Sequence, residues 1–482
     1  LPAIAYQLLV QWDGTSWTDE TSYLASAGGS FKFVPIGTFF ATNQGAVDTA
    51  TISLANVAGR YNNRIAPDYA FQRHVRLSAN TGAGLVRIFS GAISSLTIEA
   101  PNAATAGTLQ LECTTEEGPY LQRKFSSTRA SLRALHNSGA NEVDWINYLL
   151  DSISSPLTRT FDPGFVNIPW LWVDDESVLD EVWGVCAAAG GVFYVSRMGA
   201  LVYNNISTIA KRITVTSETL SRTAGAYSGV NIEASQDDLY SDITVEASPR
   251  LVGSPEIVWT PDNEENMIIP PDDEVKIIAK YDSAVWQITQ IEFEATSANG
   301  DPLTTTYVNL TAHIEYAAKS EFTFTNTHPS KIAYIKYIRV HGYPLIGGPV
   351  LERETKLPND DTFWYPRNRR DRSIRDNPYI QTGAQAKFVA DVLLEDSAYP
   401  RAVLQLRGLQ GKTDRFIGDT VVIHDPTILA EDIVGQIEML TWRIGMTYEH
   451  DIVVRDYGRS YDLAPYFIVG DDTACSDRPI FY

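Results

Sequence analysis

The residues best suited to chemistry are scattered along the chain, and none falls into a spacing that a known reaction requires. Gly411-Lys-Thr413 matches the last three positions of a phosphate-binding loop, where backbone N–H groups cradle phosphates and the lysine neutralises them. The glycine such a loop needs five positions earlier is replaced by Leu406, and strand-type sequence surrounds the segment, so a solvated hairpin turn is expected. Gly82-Ala-Gly84 offers two glycines of a dinucleotide turn but no third and no following helix. The seven histidines (74, 136, 313, 328, 341, 424 and 450) contain no i, i+4 pair and no His-x-His, so their spacing nominates no zinc site. The acidic pairs at 174–175, 237–238, 272–273, 360–361 and 471–472 lack the spaced oxygens of a calcium loop, and helix capping or solvation is expected of them. Cys113, Cys186 and Cys475 are far apart and odd in number, which implies neither a disulfide framework nor a metal knuckle. Cys186, in Val-Trp-Gly-Val-Cys-Ala-Ala-Ala, is expected to be a small thiol buried in a helix.

Neither Gly-x-Ser-x-Gly nor His-Glu-x-x-His occurs, and nothing among the 59 acidic residues nominates a glycosidase pair. No catalytic residue, metal or cofactor is therefore expected. Two segments instead have the character of contact surfaces. Arg367, Arg369, Arg370, Arg372 and Arg375 form the only basic cluster, readable as a solvated loop, as an inter-subunit patch or as a nucleic-acid contact. Tyr457, Tyr461, Tyr466, Phe467, Phe481 and Tyr482 make the C-terminal segment aromatic, so it is expected to dock on its own subunit or on a partner. The formal charge of −21 argues against a surface that grips nucleic acid, which takes clustered Lys and Arg, though it suits one past which DNA slides. Leu1–Val10 has no basic flank and no cleavage site, and no apolar run reaches membrane-spanning length; no secretory signal and a soluble chain are expected.

The elements that would carry these residues are mostly strands. With 482 residues, several domains are expected. Tyr6–Trp12, Ala46–Leu54, His74–Ala79, Leu85–Thr97 and Thr108–Cys113 read as short strands, enough for a barrel over 1–115. From 116 to 250 the pattern is mixed. Helices are expected over Thr128–His136, over Asn141–Asp151 with Val143, Ile146 and Leu150 on one stripe, and over Asp174–Ala189. The last has Val178, Leu179, Val182 and Val185 on its apolar face and is stopped by Gly190-Gly191. A hairpin turning at Met198-Gly199 follows. Residues 251–345 alternate as a β-sandwich, with Glu321–His328 and Tyr334–Pro344 as paired strands. A linker and an amphipathic helix (Thr382–Leu394) occupy 346–395, a second barrel 396–456, and an extension 457–482. The expected class is mainly β, multidomain α+β, with two β-barrels flanking an α/β domain and an inserted β-sandwich.

Thr51-x-x-Leu54-x-Asn56-x-x-Gly59-Arg60-Tyr61 reads as a half-buried strand, a glycine turn and a tyrosine that folds back. That pattern resembles the tail-hub (minor tail, baseplate hub) proteins of long-tailed bacteriophages. So do the helix, Gly-Gly stop and hairpin at 174–203, the strand at 239–250, Val340-His-Gly-Tyr-Pro344, and Ile417-Gly-Asp-x-Val-x-Ile423 in that order. The resemblance implies a structural virion protein at the tail tip and not an enzyme. It implies a homotrimer whose two barrels per subunit form a ring, linking the distal tail protein to the tip, closing the tube and opening for genome ejection. Implied partners are the distal tail protein, the tape-measure protein C-terminus and receptor-binding or fibre proteins, with DNA only in passage. The competing expectation is a carbohydrate-binding adhesin or receptor-binding protein, with Trp259, Trp286 and Trp364 as stacking surfaces; a peptidoglycan hydrolase is a third.

Overall fold

The computed structural model describes residues 5–32, 47–64, 71–82, 84–99, 107–115, 121–128, 130, 140–213, 216–234, 239–261, 267–356, 370–375, 377–397, 401–429, 431–445 and 447–456. The N-terminal strands are β1 (Ala5–Val10), β2 (Leu24–Lys32), β3 (Thr49–Asn56), β4 (His74–Asn80), β5 (Leu85–Glu99) and β6 (Gly107–Thr115). Their alternation is the period-2 rule made visible: Ala50, Ile52 and Leu54, then Val75, Leu77 and Ala79, then Leu109, Leu111 and Cys113 all point into the core. Next come α1 (Glu142–Ser152), α2 (Val178–Ala189), the hairpin β7 (Val192–Val195) and β8 (Leu201–Asn204), α3 (Ile206–Ile213), β9 (Thr216–Ser221), β10 (Gly229–Ala234) and β11 (Asp242–Ala247). The sandwich strands are β12 (Asp273–Lys280), β13 (Val285–Ser297), β14 (Val308–Glu315), β15 (Lys319–Asn326) and β16 (Ala333–Gly347). The chain closes with β17 (Leu351–Lys356), β18 (Asp371–Ile374), α4 (Gly383–Ser397), β19 (Ala402–Gln410), β20 (Thr420–His424), β21 (Ile433–Ile444) and β22 (Tyr448–Asp456). The protein is mainly β, built from several sheets with four α-helices among the described residues.

The strands expected of the first and second barrels are hydrogen-bonded into one 13-stranded sheet. Its order is β10-β19-β22-β21-β2-β3-β6-β5-β4-β1 and then Thr18–Asp19, with β20 beside β21 and β9 parallel to β20. The join is the antiparallel pair β2–β21, running from Lys32 opposite Met439 to Ala27 opposite Ile444. Sequence patterning gave no strand at β2, because Leu-Ala-Ser-Ala-Gly-Gly-Ser has few large apolar residues. Its glycines have a packing reason. A Cβ on Gly29 would stand 2.5 Å from the Thr49 carbonyl oxygen and 2.8 Å from the Trp442 ring, so only glycine lets that buried indole lie across the join.

One continuous apolar core runs from Leu8 through α1, α2 and α4 to Val454, so both ends of the chain and the mixed region share it. A second core belongs to the sandwich, between the sheet containing β13 and β16 and the sheet β12-β15-β14. β15 and β16, expected to pair, therefore lie in facing sheets. A small seam of Ala130, Trp170, Ala284, Ala317 and Leu345 joins the sandwich to the mixed region; there the Ala317 N–H donates to the Ser127 carbonyl at 2.8 Å.

Local boundaries moved for identifiable reasons. Asn141 caps α1 through a capping box with Asp144, and its buried stripe is Trp145, Ile146, Leu149 and Leu150, with Val143 only partly buried. Asp174–Ser177, read as an acidic helix start, is a strand paired with Lys124–Ser126; the helix begins at Val178 and ends at Gly190 with φ 68°. Val178, Leu179, Val182 and Val185 are buried as expected, and so is almost all of α2, which sits between elements and has no solvent face of any width. The helix expected over 128–136 and the extension 457–482 lie almost wholly outside the described residues.

Because Gly29 has no room for a methyl group, Gly29→Ala is expected to destabilise the fold by about 2–3 kcal/mol. At Gly28 the nearest backbone atom would be 3.2 Å away, and Gly28→Ala is expected to cost under about 1 kcal/mol. Urea unfolding of the two variants checks this; equal losses would show that the Trp442 contact does not constrain β2.

Candidate functional site

The turn after β3 explains the first pattern of interest. Asn56 accepts from the Tyr61 N–H at 2.9 Å, and Gly59 takes φ 72°. That geometry carries Arg60 and Tyr61 back to Glu20, a carboxylate 1 % exposed. The Glu20 carboxylate accepts from Trp12 Nε1 at 2.8 Å, Tyr61 Oη at 2.8 Å and Arg60 Nη2 at 3.1 Å. Arg60 also lies over the Tyr23 ring at 4.3 Å. Donors from three residues converge on one buried acceptor, so the group is a strut. Losing Glu20 would leave buried indole and phenol donors unpaired, at about 1–3 kcal/mol each. Sequence spacing pointed to the turn but not to Glu20, which lies about forty residues away on another loop.

Three further acids have raised carboxyls: Glu142 and Glu438 are buried and Glu181 is half-buried. Glu142 accepts from the Phe165 and Val166 N–H groups and from Tyr203 Oη; burial still pushes its carboxyl up. Glu438 accepts from Arg455 Nε at 2.5 Å, and burial raises it to about 7. Nearby, Arg401 pairs with Asp396 at 3.4 Å, tying the end of α4 to the sheet. Glu181 is pushed up to about 8 by burial, with Glu176 and Asp180 adding to the shift, and its Oε2 has no hydrogen-bond partner among the described residues. A carboxyl kept neutral can serve as a general acid where a substrate reaches it. Glu181 sits on α2, which is packed into the main core. Among the described residues no group of three His, Cys, Asp or Glu is placed to hold a metal ion. Cys113 and Cys186 are buried free thiols, both pushed upward by burial.

Of the arginine cluster, Arg370, Arg372 and Arg375 are described, and Arg367 and Arg369 are not. Arg375 Nε pairs with Glu246 on β11 at 2.7 Å, and Arg372 lies 5.0 Å over the Tyr240 ring. The Arg370 backbone bonds Ser241. The described part of the cluster thus holds β18 against β11 in the chain's own three-stranded sheet. Trp259 packs inward against Phe322 in the sandwich, 6.4 Å between ring centres. Trp286 stands 45 % exposed beside Tyr343 at 5.7 Å. Trp364, Tyr457, Tyr461, Tyr466, Phe467, Phe481 and Tyr482 lie outside the described residues.

Gly411-Lys-Thr413 is not a hairpin turn. The strands on either side of it, β19 and β20, pair with other strands and not with each other. Thr413 is buried and bonds Thr81 at 3.0 Å, while Lys412 pairs with Glu218 at 2.5 Å. The segment links three distant parts of the chain, which local pattern could not show.

The raised Glu181 carboxyl sets a pH dependence. Its folded value lies above the unfolded one, so its contribution is fully present below about 4.5 and is lost as pH rises through about 8. Glu181→Gln is expected to remove a stability loss of about 2–4 kcal/mol between pH 5 and pH 8. Urea unfolding at both pH values measures it, and parallel profiles for the two proteins would contradict the burial of that carboxyl.

The sequence matches no family model, and no curated protein matches it. Solved structures do match by fold. A tail protein from Neisseria meningitidis MC58 aligns over 95 % of this chain and 98 % of its own, with a TM-score of 0.52 at 11 % identity. The 43 kDa tail protein of prophage MuSo2 from Shewanella oneidensis aligns over 93 % and 98 %, with 0.45 at 9 %. A type VI secretion system component from E. coli aligns over 91 % and 75 %, with 0.41 at 8 %. Along nearly its whole length, this chain shares the fold of the Neisseria tail protein.

Proposed function

We propose that this chain is a structural protein of a phage-type tail, and within it a hub at the distal end of a long non-contractile tail. The observation that carries the reading is the fold likeness to the Neisseria tail protein, which spans both chains almost end to end. The buried polar groups fit it, because Glu20, Glu142 and Glu438 serve as internal struts. In this reading three copies close into a ring in the virion tail tip, joining the distal tail protein to the tip, closing the tube and opening for ejection. A closed ring gives each sheet edge a partner. The formal charge of −21 then lets DNA pass without adhering. The tape-measure C-terminus and receptor-binding or fibre proteins are the other partners, and no catalytic step is assigned to the chain.

One observation favours the adhesin reading: Trp286 and Tyr343 form an aromatic pair on the exposed side of the sandwich, a surface on which a sugar ring could stack. Light scattering followed by electron microscopy of the purified chain separates the two. A threefold ring of the 53.4 kDa chain around a central channel is the expected result. An elongated particle without a channel, binding glycans through Trp286, would contradict the hub and support the adhesin.

A further inference from the structure

The strands at the two ends of the chain repeat one another. Taken in chain order, β1 to β6 answer one for one to β9, β10, β19, β20, β21 and β22. The pairs β2–β3, β3–β6, β5–β6 and β4–β5 recur as β10–β19, β19–β22, β21–β22 and β20–β21. β1 lies beside β4 as β9 lies beside β20, though the first pair is antiparallel and the second parallel. Details recur too. Against β6, β5 breaks register between Ile93 and Ser95; against β22, β21 breaks it between Ile437 and Met439. Ile93 bonds the Gln72 and Arg73 backbone at 2.8 and 2.9 Å, and Ile437 bonds that of Gly418 and Asp419 at the same two lengths. A Cβ on Gly91 would strike the Thr114 carbonyl oxygen, as one on Gly435 would strike that of Arg455.

The repeat therefore equates Ser95–Glu99 with Met439–Arg443, and Asn231, Ile232 and Glu233 with Gly28, Gly29 and Ser30. One pairing has no counterpart inside the chain. β2 joins β21, but among the described strands β10 pairs only with β19, and β5 beyond Ile93 pairs only with β6. Burial differs accordingly. Leu440 and Trp442, beside β2, are 4 % and 1 % exposed, whereas their equivalents Leu96 and Ile98 are only partly covered. Ile232 stands 38 % exposed on the face of β10 from which Val230 packs against the main core.

We propose that β10 of one copy pairs antiparallel with Ser95–Glu99 of a second copy, repeating the β2–β21 join head to tail. This interface rests on the ring proposed above and supplies its contact. Carried through the repeat, the register sets Ile232 opposite Ile98, Asn231 opposite Glu99 and Glu233 opposite Thr97. Two isoleucines then share the space that Trp442 and Gly29 divide unequally, and neither polar pair opposes like charges. Because the two surfaces differ, the contact is heterologous, and both strands find partners in every copy only when the copies close into a ring.

The test is oxidative cross-linking of the full chain carrying Asn231→Cys and Glu99→Cys, both at exposed positions. Cys475→Ser removes the third native thiol, since Cys113 and Cys186 are buried. Each single variant alone is expected to stay uncross-linked, an equimolar mixture to give covalent dimers, and the double variant to give closed trimers. Gly229→Cys with Thr97→Cys, out of register, is expected to give none of these. Ile232→Asp, at an exposed position, is expected to weaken association by about tenfold or more in light scattering, because the join would bury its charge. A threefold parent without N231C–E99C cross-links, or one indifferent to I232D, would overturn this join and leave the ring standing. A parent that stays monomeric at millimolar concentration and yields no cross-links would overturn both. N231C cross-linking to itself would show a two-fold edge contact and overturn the head-to-tail join.

Discussion

The rest of the structure depends on the antiparallel pairing of β2 with β21. Six residue pairs, from Lys32 with Met439 to Ala27 with Ile444, bring together segments some four hundred positions apart. Closing so long a loop is entropically costly, and the cost grows only slowly with length, so a compact patch of burial can offset it. That patch is aromatic. Trp442 lies 6.1 Å from Phe89, Phe89 lies 6.5 Å from Phe31, and Phe31 lies 5.9 Å from Phe416. Two N-terminal rings, Phe31 and Phe89, are flanked by two from the C-terminal part of the chain, Phe416 and Trp442, and Gly29 is the clearance that lets Trp442 lie across the join.

Polar groups in this protein reinforce that arrangement. Glu20 gathers a loop, a turn and a strand end; Glu142 ties α1 to the 165–166 backbone and to β8; Glu438 and Arg455 brace neighbouring strands. Each holds fixed partners within the fold.

Strands with clean alternation, such as β3, β4 and β6, were legible from local sequence because one face is buried and the other is not. The β7–β8 hairpin was legible because Gly199 takes φ 80°, as a Met-Gly turn suggests. β2 was not legible, since its small residues answer to a tryptophan four hundred positions away. The start of α2 was misread because Asp174–Ser177 has a helix-like acidic composition yet pairs as a strand with Lys124–Ser126. Of the contact residues expected, Arg375 could be placed only once β11 and its Glu246 were known. Lys412 and Thr413 gained their meaning from Glu218 and Thr81, which no spacing rule connects to them.

The central claim is that both ends of the chain form one cooperative β unit. Native-state hydrogen exchange of the β2 and β21 amides measures this most directly. The account predicts that Ala27–Lys32 and Met439–Ile444 exchange together, at one opening free energy equal to that of the main core. Separate opening of the C-terminal strands at a lower free energy, with β2 still protected, would contradict it.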